Sequence, residues 1–354
     1  MKILDRYIGQ AVITGVMTVL AIFLILYELF SFAGDAGLIG KANYTLWSAI
    51  KNTLYLIPQH IYELFPLSML MGTMLGLGWL ANHNELVVIR TAGVSLMRIV
   101  VAVMKTAVML MLLATILGEA VAPPLLQHAK DIKLKALNRN INMNTDYGLW
   151  ARDDQTYINV NRVDSTGRLV GITLYLFSKE NHLQRTIMAK HARYDGQQWI
   201  LNSVDETLYL DDKVEVKHTK EMLWQTLLDL DMVKIVAIRP DLLSVWKLTS
   251  YMEYLKNNDL DYGRYELVYW TKIFSPLTIL SMVLLAIPFV FGSTRQISLG
   301  RQILLGFFVG ISFYLVSRLS GQMGLVYGVP AILSALLPNL LVISLAIWGY
   351  RRIR

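Results

Sequence analysis

The chain has 354 residues, of which 55% are hydrophobic and 17% charged, with a mean hydropathy of +0.44 and a net charge of +7. Soluble domains carry about 45–50% apolar and about 25% charged residues, so this composition belongs to a chain that meets lipid. There is no cysteine, which excludes disulfides, thiolate metal sites and a cysteine nucleophile.

A helix crossing about 30 Å of hydrocarbon needs about 20 mostly apolar residues. Six stretches meet that requirement: 11–33, 64–81, 99–122, 273–292, 302–317 and 329–349. The first reads as a retained helix. Lys2 and Arg6 precede it and Ser31-Phe32-Ala33 resembles a cleavage site, but the run is long for a signal peptide and Tyr27-Glu28 interrupts the approach. The second extends back toward Leu54 and carries Gln59, His60 and Glu63 near one end.

Between the second and third stretches lies Ala81-Asn82-His83-Asn84-Glu85-Leu86-Val87-Val88-Ile89-Arg90-Thr91-Ala92-Gly93. Asn82 is placed to cap a short helix over 82–93, Glu85 to close a capping box, and Gly93 to end it. With Leu86, Val87, Val88 and Ile89 in a row, this helix must bury against something. One reading is the membrane surface; the other is a groove on a cytoplasmic partner.

The segment 124–265 separates three helices from three and contains no spanning stretch. Short runs at Gly148-Leu149-Trp150, 156–160, 169–176, 199–201, 207–210 and 214–217 alternate as strands do. Turn clusters separate them at Asp153-Asp154, Asp164-Ser165-Thr166-Gly167, Asp195-Gly196 and Asp211-Asp212. Ile172, Leu174 and Leu176 face one way and Thr173 and Tyr175 the other. The spacing predicts an antiparallel sandwich or jelly roll. Such a module either only contacts a partner, or accepts a lipid tail in its interior or a strand at its edge. From Leu248 the period changes: Leu248, Tyr251, Tyr254 and Leu255 mark a short amphipathic helix, with Gly263 beyond its end.

Charge location orients the chain. With a cytoplasmic N-terminus, the inner loops hold Lys2, Arg6, Arg90, Arg98, Arg295, Arg301, Arg351, Arg352 and Arg354, whereas the outer short loops hold Lys41, Lys51 and Arg318. Both termini are then cytoplasmic and the β-rich domain is extracytoplasmic. That domain carries 19 basic and 19 acidic residues, so the positive excess sits in the membrane part and a nucleic-acid-binding role is excluded.

Catalytic and nucleotide signatures are missing: there is no P-loop, G-x-S-x-G or H-E-x-x-H. The six histidines (His60, His83, His128, His182, His191, His218) are scattered and suggest no metal site. Ionisable residues in the spans carry more information, since burying one costs at least about 2.5–3.5 kcal/mol. Glu28, Glu63 and Glu119 lie toward the outer ends. Lys105 reads as a lysine snorkelling to the interface, and Lys272 opens the fourth span. Glu63 with Gln59 and His60 suggests a polar lining. Lys41, Lys51, Lys130, Lys133, Lys135, Lys272 and Arg318 form a basic level that would suit phosphates.

Seven segments in order resemble the LptF/LptG permease family of the lipopolysaccharide export ABC transporter, and its LptG-type members in particular. They are Leu4-Asp5-Arg6-Tyr7-Ile8-Gly9, Leu75-Gly76-Leu77-Gly78, Glu85-Leu86-Val87-Val88, Gly118-Glu119-Ala120-Val121-Ala122-Pro123, Gly148-Leu149-Trp150-Ala151, Lys272-Ile273-Phe274-Ser275-Pro276, and Val326-Tyr327-Gly328-Val329-Pro330 with Leu336-Leu337-Pro338.

The resemblance implies six transmembrane helices, three on each side of a periplasmic β-jellyroll. The corresponding divisions are 1–123 with the coupling helix at 82–93, 124–265 with connecting helices, and 266–354. It implies an inner-membrane permease subunit that is not an enzyme and binds no cofactor. Its partners would be an LptF-type subunit, two LptB-type ATPases that bind ATP and Mg, and an LptC-type bridge protein. Lipopolysaccharide would be drawn from the periplasmic leaflet. Glu85, Leu86, Val87, Ile89 and Arg90 would couple to the ATPase. Lys41, Lys130, Lys133 and Lys272 would meet lipid phosphates, and Gln59, Glu63, Phe65, Pro66, Leu67, Ile311, Tyr314 and Arg318 would line the cavity. Relatives carry lysines after helix one and near the start of helix two, where this chain has Ser31, Gly37, Leu38 and Gln59. Two other classes are a mechanotransmitting subunit that carries no lipid, and a membrane enzyme working through Glu63 and His60.

Overall fold

The computed structural model describes residues 3–137, 149–153, 155–163, 168–178, 180, 182–196, 198–210, 213–224, 240–258, 260–291 and 299–352. Lys2, Gly148, Asp154, the cluster 164–167, Asp211-Asp212, Arg295, Arg354 and the side chain of Lys135 lie outside the described residues. The chain divides into two compact units. One comprises Met1–Asp35, Thr53–Leu126 and Gly263–Arg354; the other comprises Ala36–Asn52 and Gln127–Tyr262.

The first unit is helical. Helix α1 (Ile3–Ala36) and α2 (Leu46–Asn82) are joined through a short turn to α3 (Glu85–Thr91). Helix α4 (Leu96–Ile116) then runs through a π-helical turn (Leu117–Val121) into α5 (Ala122–Ala136). After the strands come α6 (Val245–Asn257), which belongs to the second unit, and then α7 (Gly263–Ile273), α8 (Ser275–Phe291), α9 (Leu299–Tyr327) and α10 (Ala331–Arg352) of the first.

Among the described residues five helices are long and apolar enough to cross a membrane, and six spans result if α7 and α8, bent by 49°, form one. The bend has a local cause. Pro276 has no N–H to give to the Lys272 carbonyl and its ring collides with it, so α7 stops at Ile273 and α8 restarts at Ser275. Hydropathy alone merged the end of α7 into the fourth stretch. It also placed the ends of the fifth inside the observed α9, because polar turns at a helix end lower the window average without breaking the helix.

The helices pack around Ile8, Val12, Val16, Met69, Leu77, Ile99, Val103, Ile279 and Ala286. The tightest crossing is between α1 and α2. A Cβ on Gly15 would stand 2.2 Å from the Gly72 carbonyl oxygen, one on Gly72 2.3 Å from the Val16 Cα, and one on Gly76 2.4 Å from the Ala11 oxygen. Small residues four apart let two backbones touch, which is how helices associate in lipid, where no hydrophobic drive joins them.

The second unit holds β1 (Leu149–Asp153), β2 (Thr156–Val163), β3 (Leu169–Phe177), β4 (Leu183–Tyr194), β5 (Trp199–Leu210) and β6 (Lys213–Trp224) in one antiparallel sheet of order β1-β2-β3-β4-β5-β6. Each pairing joins sequence neighbours, as a meander does; crossing connections of a jelly roll are not seen among the described residues. Ile158, Val160, Ile172, Leu174, Ile187, Ala189, Leu201 and Val204 form the buried face. The alternation at Ile172 and Leu174 follows the sequence expectation. Strand β4 escaped it because Arg185, Lys190, His191 and Arg193 break up its apolar positions. The two runs at 199–201 and 207–210 are one strand.

Helix α6 buries Leu248, Tyr251, Tyr254 and Leu255, the four residues its period singled out. The Tyr254 hydroxyl donates to the Arg152 carbonyl at 2.9 Å, tying α6 to β1. Burial, aided by the nearby Asp153 carboxylate, pushes this hydroxyl up to about 12 from 10. The folded state therefore favours the protonated phenol. Its contribution is complete below pH 10 and is lost as pH rises through about 12. Tyr254→Phe is expected to lower stability by about 1 kcal/mol at neutral pH and to flatten the alkaline decline. Denaturation of the full chain followed by near-UV circular dichroism across that range checks this, and equal pH slopes in both proteins would contradict it.

Candidate functional site

Polar residues within the helical unit gather at opposite ends of α1, 23 residues apart between Asp5 and Glu28, or about 35 Å at about 1.5 Å per residue.

At the first end, α2 continues through Asn82, so Asn82 lies inside a helix and cannot cap the next one. Asn84, with φ of 62°, takes the N-cap position of α3 without a side-chain cap bond. The expected capping box is therefore not formed. Glu85 instead accepts the Tyr7 hydroxyl of α1 at 2.5 Å. The expected stop holds: Gly93, with φ of 86°, donates its N–H to the Arg90 carbonyl at 3.0 Å. Leu86 is buried and Ile89 packs beside it on the helical core. Val87 and Val88 stay 57% and 64% exposed, with Arg90 exposed beside them. Helix α3 is thus anchored by Leu86 and Ile89 and presents Val87, Val88 and Arg90 outward.

Two residues before Tyr7 on α1, Asp5 is buried. Its Oδ1 accepts from Arg98 Nη2 at 2.7 Å and its Oδ2 from Lys105 Nζ at 3.1 Å. Lys105 therefore has a carboxylate partner and is more than a snorkelling side chain. Asp5 was not singled out as a site residue from the sequence; its signal there was an acid at the mouth of an apolar stretch.

At the other end, His60 Nδ1 and Glu28 Oε1 lie 2.7 Å apart between α2 and α1, with the Tyr27 ring 4.3 Å from the imidazole. Gln59 donates to Glu63 at 2.8 Å. His60 and Glu63 thus engage different partners rather than each other. No group of three or more metal-ligating side chains exists among the described residues. Lys272 Nζ meets Glu119 Oε1 at 3.0 Å and stands 5.7 Å from the Tyr62 ring, and its side chain is only 9% exposed. The π-helical turn carries Glu119. Lys272, expected at lipid phosphates, is directed into this pair because α7 ends there and Gly118 lets Tyr62 close in: a Cβ on Gly118 would be 2.3 Å from its ring.

Of the expected cavity residues, Phe65 is buried in the helical core. Its place on α2, four residues before Met69, puts it on the inward stripe. Pro66 and Leu67 are half-buried, and Leu67 fills the space that a side chain at Gly310 of α9 would take. Ile311 and Tyr314 are exposed on α9, and Arg318 Nη1 donates to the Tyr314 hydroxyl at 3.0 Å. In the sheet unit, Lys41 is exposed on a loop held to the end of α5 by the Asn43 N–H to Ala136 carbonyl bond of 2.8 Å. Lys130 and Lys133 are half-buried, one turn apart on α5.

The family model described as "Lipopolysaccharide export system permease LptF/LptG" matches residues 6–352. The chain belongs to this family. Two relatives carry the description "Lipopolysaccharide export system permease protein LptG". That of Escherichia coli strain K12 is 36% identical over 98% of this chain and 97% of its own length. That of Haemophilus influenzae strain Rd is 35% identical over 99% of both. As a member of the LptF/LptG family, the chain is a multi-pass transmembrane permease, in keeping with its apolar helices.

Proposed function

We propose that the chain is the LptG-type permease subunit of a lipopolysaccharide export ABC transporter in the bacterial inner membrane. The observation that carries this is the family match from residue 6 to residue 352, together with relatives, matched over 97% or more of their length, that bear the LptG description. The chain contributes six spanning helices, three before and three after the insertion, with α7 and α8 as one bent span. Its divisions are 1–123, 124–265 and 266–354. Both termini are cytoplasmic, and the six-stranded sheet belongs to a periplasmic β-jellyroll. It pairs with an LptF-type subunit, stands on two LptB-type ATPases that bind ATP and Mg, and meets an LptC-type bridge protein. The chain itself is non-catalytic and holds no cofactor.

Lipopolysaccharide enters sideways from the periplasmic leaflet, with Lys41, Lys130 and Lys133 toward its phosphates and Gln59, Glu63, Leu67, Ile311, Tyr314 and Arg318 toward the cavity. Burying hydrocarbon gains about 0.8 kcal/mol per CH₂, so pulling several acyl chains from a bilayer needs an outside motor. The exposed face of α3 receives that motion. Leu86 and Ile89 anchor the helix in the core and Tyr7 ties Glu85 to α1, so a push on Val87, Val88 and Arg90 is delivered to the bundle rather than absorbed by a loose loop.

Glu85→Ala is expected to leave the complex assembled while lipid release per ATP hydrolysed falls by roughly tenfold, as loss of a charged contact at an interface does. Tyr7→Phe, which keeps the carboxylate, should give a smaller loss. Lipid release and ATP hydrolysis by reconstituted complexes measure both. Wild-type coupling in Glu85→Ala would remove Glu85 from the mechanism. Purifying the tagged chain in mild detergent tests the wider reading. Recovery with an ATPase, a related permease and lipopolysaccharide supports it; recovery of the ATPase without lipid overturns lipid carriage in favour of mechanotransmission.

A further inference from the structure

We infer that the Asp5 end of the bundle holds a binding site for an anionic glycerophospholipid, separate from any lipopolysaccharide cavity. A shallow, open groove of about 390 Å³ lies on the surface of α4, lined by Val100, Val101, Met104, Lys105 and Val108 of that one helix. Val101, Lys105 and Val108 recur at spacings of four and three, so they form one stripe of a spanning helix, and each is more than a third exposed. Lys105 sits at the centre of this otherwise aliphatic stripe. Side chains on a helix lean toward its N-terminus, and Lys105 accordingly brings its ammonium back toward Arg98 and Asp5.

The charges at this corner do not balance. Asp5 is a single carboxylate shared by two cations, one on each oxygen. On the elements that meet there, the first turns of α1, the short α3 and the start of α4, the acids are Asp5 and Glu85 and the bases are Arg6, Arg90, Arg98 and Lys105. Glu85 is already engaged by Tyr7. An ammonium with three donors, one of them on Asp5, retains capacity for an anion. Two cations on one carboxylate leave one positive charge over at the edge of the hydrocarbon, which is costly, and a phosphate delivered by a lipid cancels it where an aqueous anion would leave the aliphatic groove empty. The headgroup phosphate is bound between Lys105 and Arg98, and an acyl chain lies along Val101, Met104 and Val108. Basic groups beside hydrocarbon on the cytoplasmic side recognise acidic headgroups through the same two elements.

The test uses the full chain in its native complex, titrated by native mass spectrometry with phosphatidylglycerol and with phosphatidylcholine of identical acyl chains. The wild type should retain phosphatidylglycerol preferentially. Lys105→Gln should lose that preference by about fivefold, the effect of one basic residue near an acidic leaflet, while Lys105→Arg keeps it. Val101→Trp, which fills the groove without touching charge, should reduce retention of phosphatidylglycerol as well. A photoreactive residue at Met104 should capture lipid. Equal retention of the two lipids by the wild type overturns the proposal. So does a preference unchanged in both Lys105→Gln and Val101→Trp, or capture of another protein's helix in place of lipid.

Discussion

Gly76→Val is expected to abolish accumulation of folded chain in the membrane. The first added carbon would stand 2.4 Å from the Ala11 carbonyl oxygen and 3.1 Å from the Val12 Cα, both backbone atoms that no rotamer change can move. The helices would have to part, and Gly72 and Gly15, which sit in the same contact at 2.3 Å and 2.2 Å, would be pulled apart with it. Overpacking an ordinary core costs about 1–3 kcal/mol because side chains give way; here the yielding unit is a whole helix, and the buried contacts of Val12, Val16 and Met69 go with it. Gly34→Val is the matched control, since nothing lies within 4 Å of a Cβ there. Yield of monodisperse protein and resistance to trypsin measure the difference. A Gly76→Val chain as abundant and resistant as the control would mean that α1 and α2 do not meet backbone to backbone.

The second large effect is expected at Glu119 and Lys272. Glu119→Gln leaves the Lys272 ammonium, whose side chain is 9% exposed, without its carboxylate. Removing one partner of a buried pair costs about 3–5 kcal/mol, whereas replacing both by apolar groups of similar volume is often neutral. The single variant should therefore melt roughly 5–10 °C lower, and the double variant Glu119→Leu with Lys272→Met should recover most of the loss. The exchanged pair, Glu119→Lys with Lys272→Glu, should recover part of it, limited by the π-helical turn and the Tyr62 ring being shaped for the native order. Thermal melts of the purified complex decide. A double variant as unstable as the single one would show that the pair supplies more than mutual neutralisation.

The sequence by itself determined what depends on a few turns of chain. Apolar runs of spanning length placed the helices, because lipid leaves the backbone no other way to satisfy its hydrogen bonds. The period of Leu248, Tyr251, Tyr254 and Leu255 predicted the buried face of α6, and the alternation at Ile172 and Leu174 that of β3. Gly93 marked the end of α3 because its backbone angle suits glycine. The resemblance reached the family for a related reason, since its seven segments are each local.

Tertiary structure alone decided which charges meet. Tyr7 finds Glu85 across 78 residues, Asp5 finds Arg98 and Lys105 across 93 and 100, and Lys272 finds Glu119 across 153. No spacing rule reaches that far. The partner of an ionisable group in a membrane is set by which helix crosses which and at what depth, and that crossing is fixed by glycines whose effect exists only once two backbones touch. The same reason sent Glu85 to Tyr7 instead of a capping box, and turned Phe65 into the core. In each case a local preference worth about a kilocalorie yields to helix packing worth several.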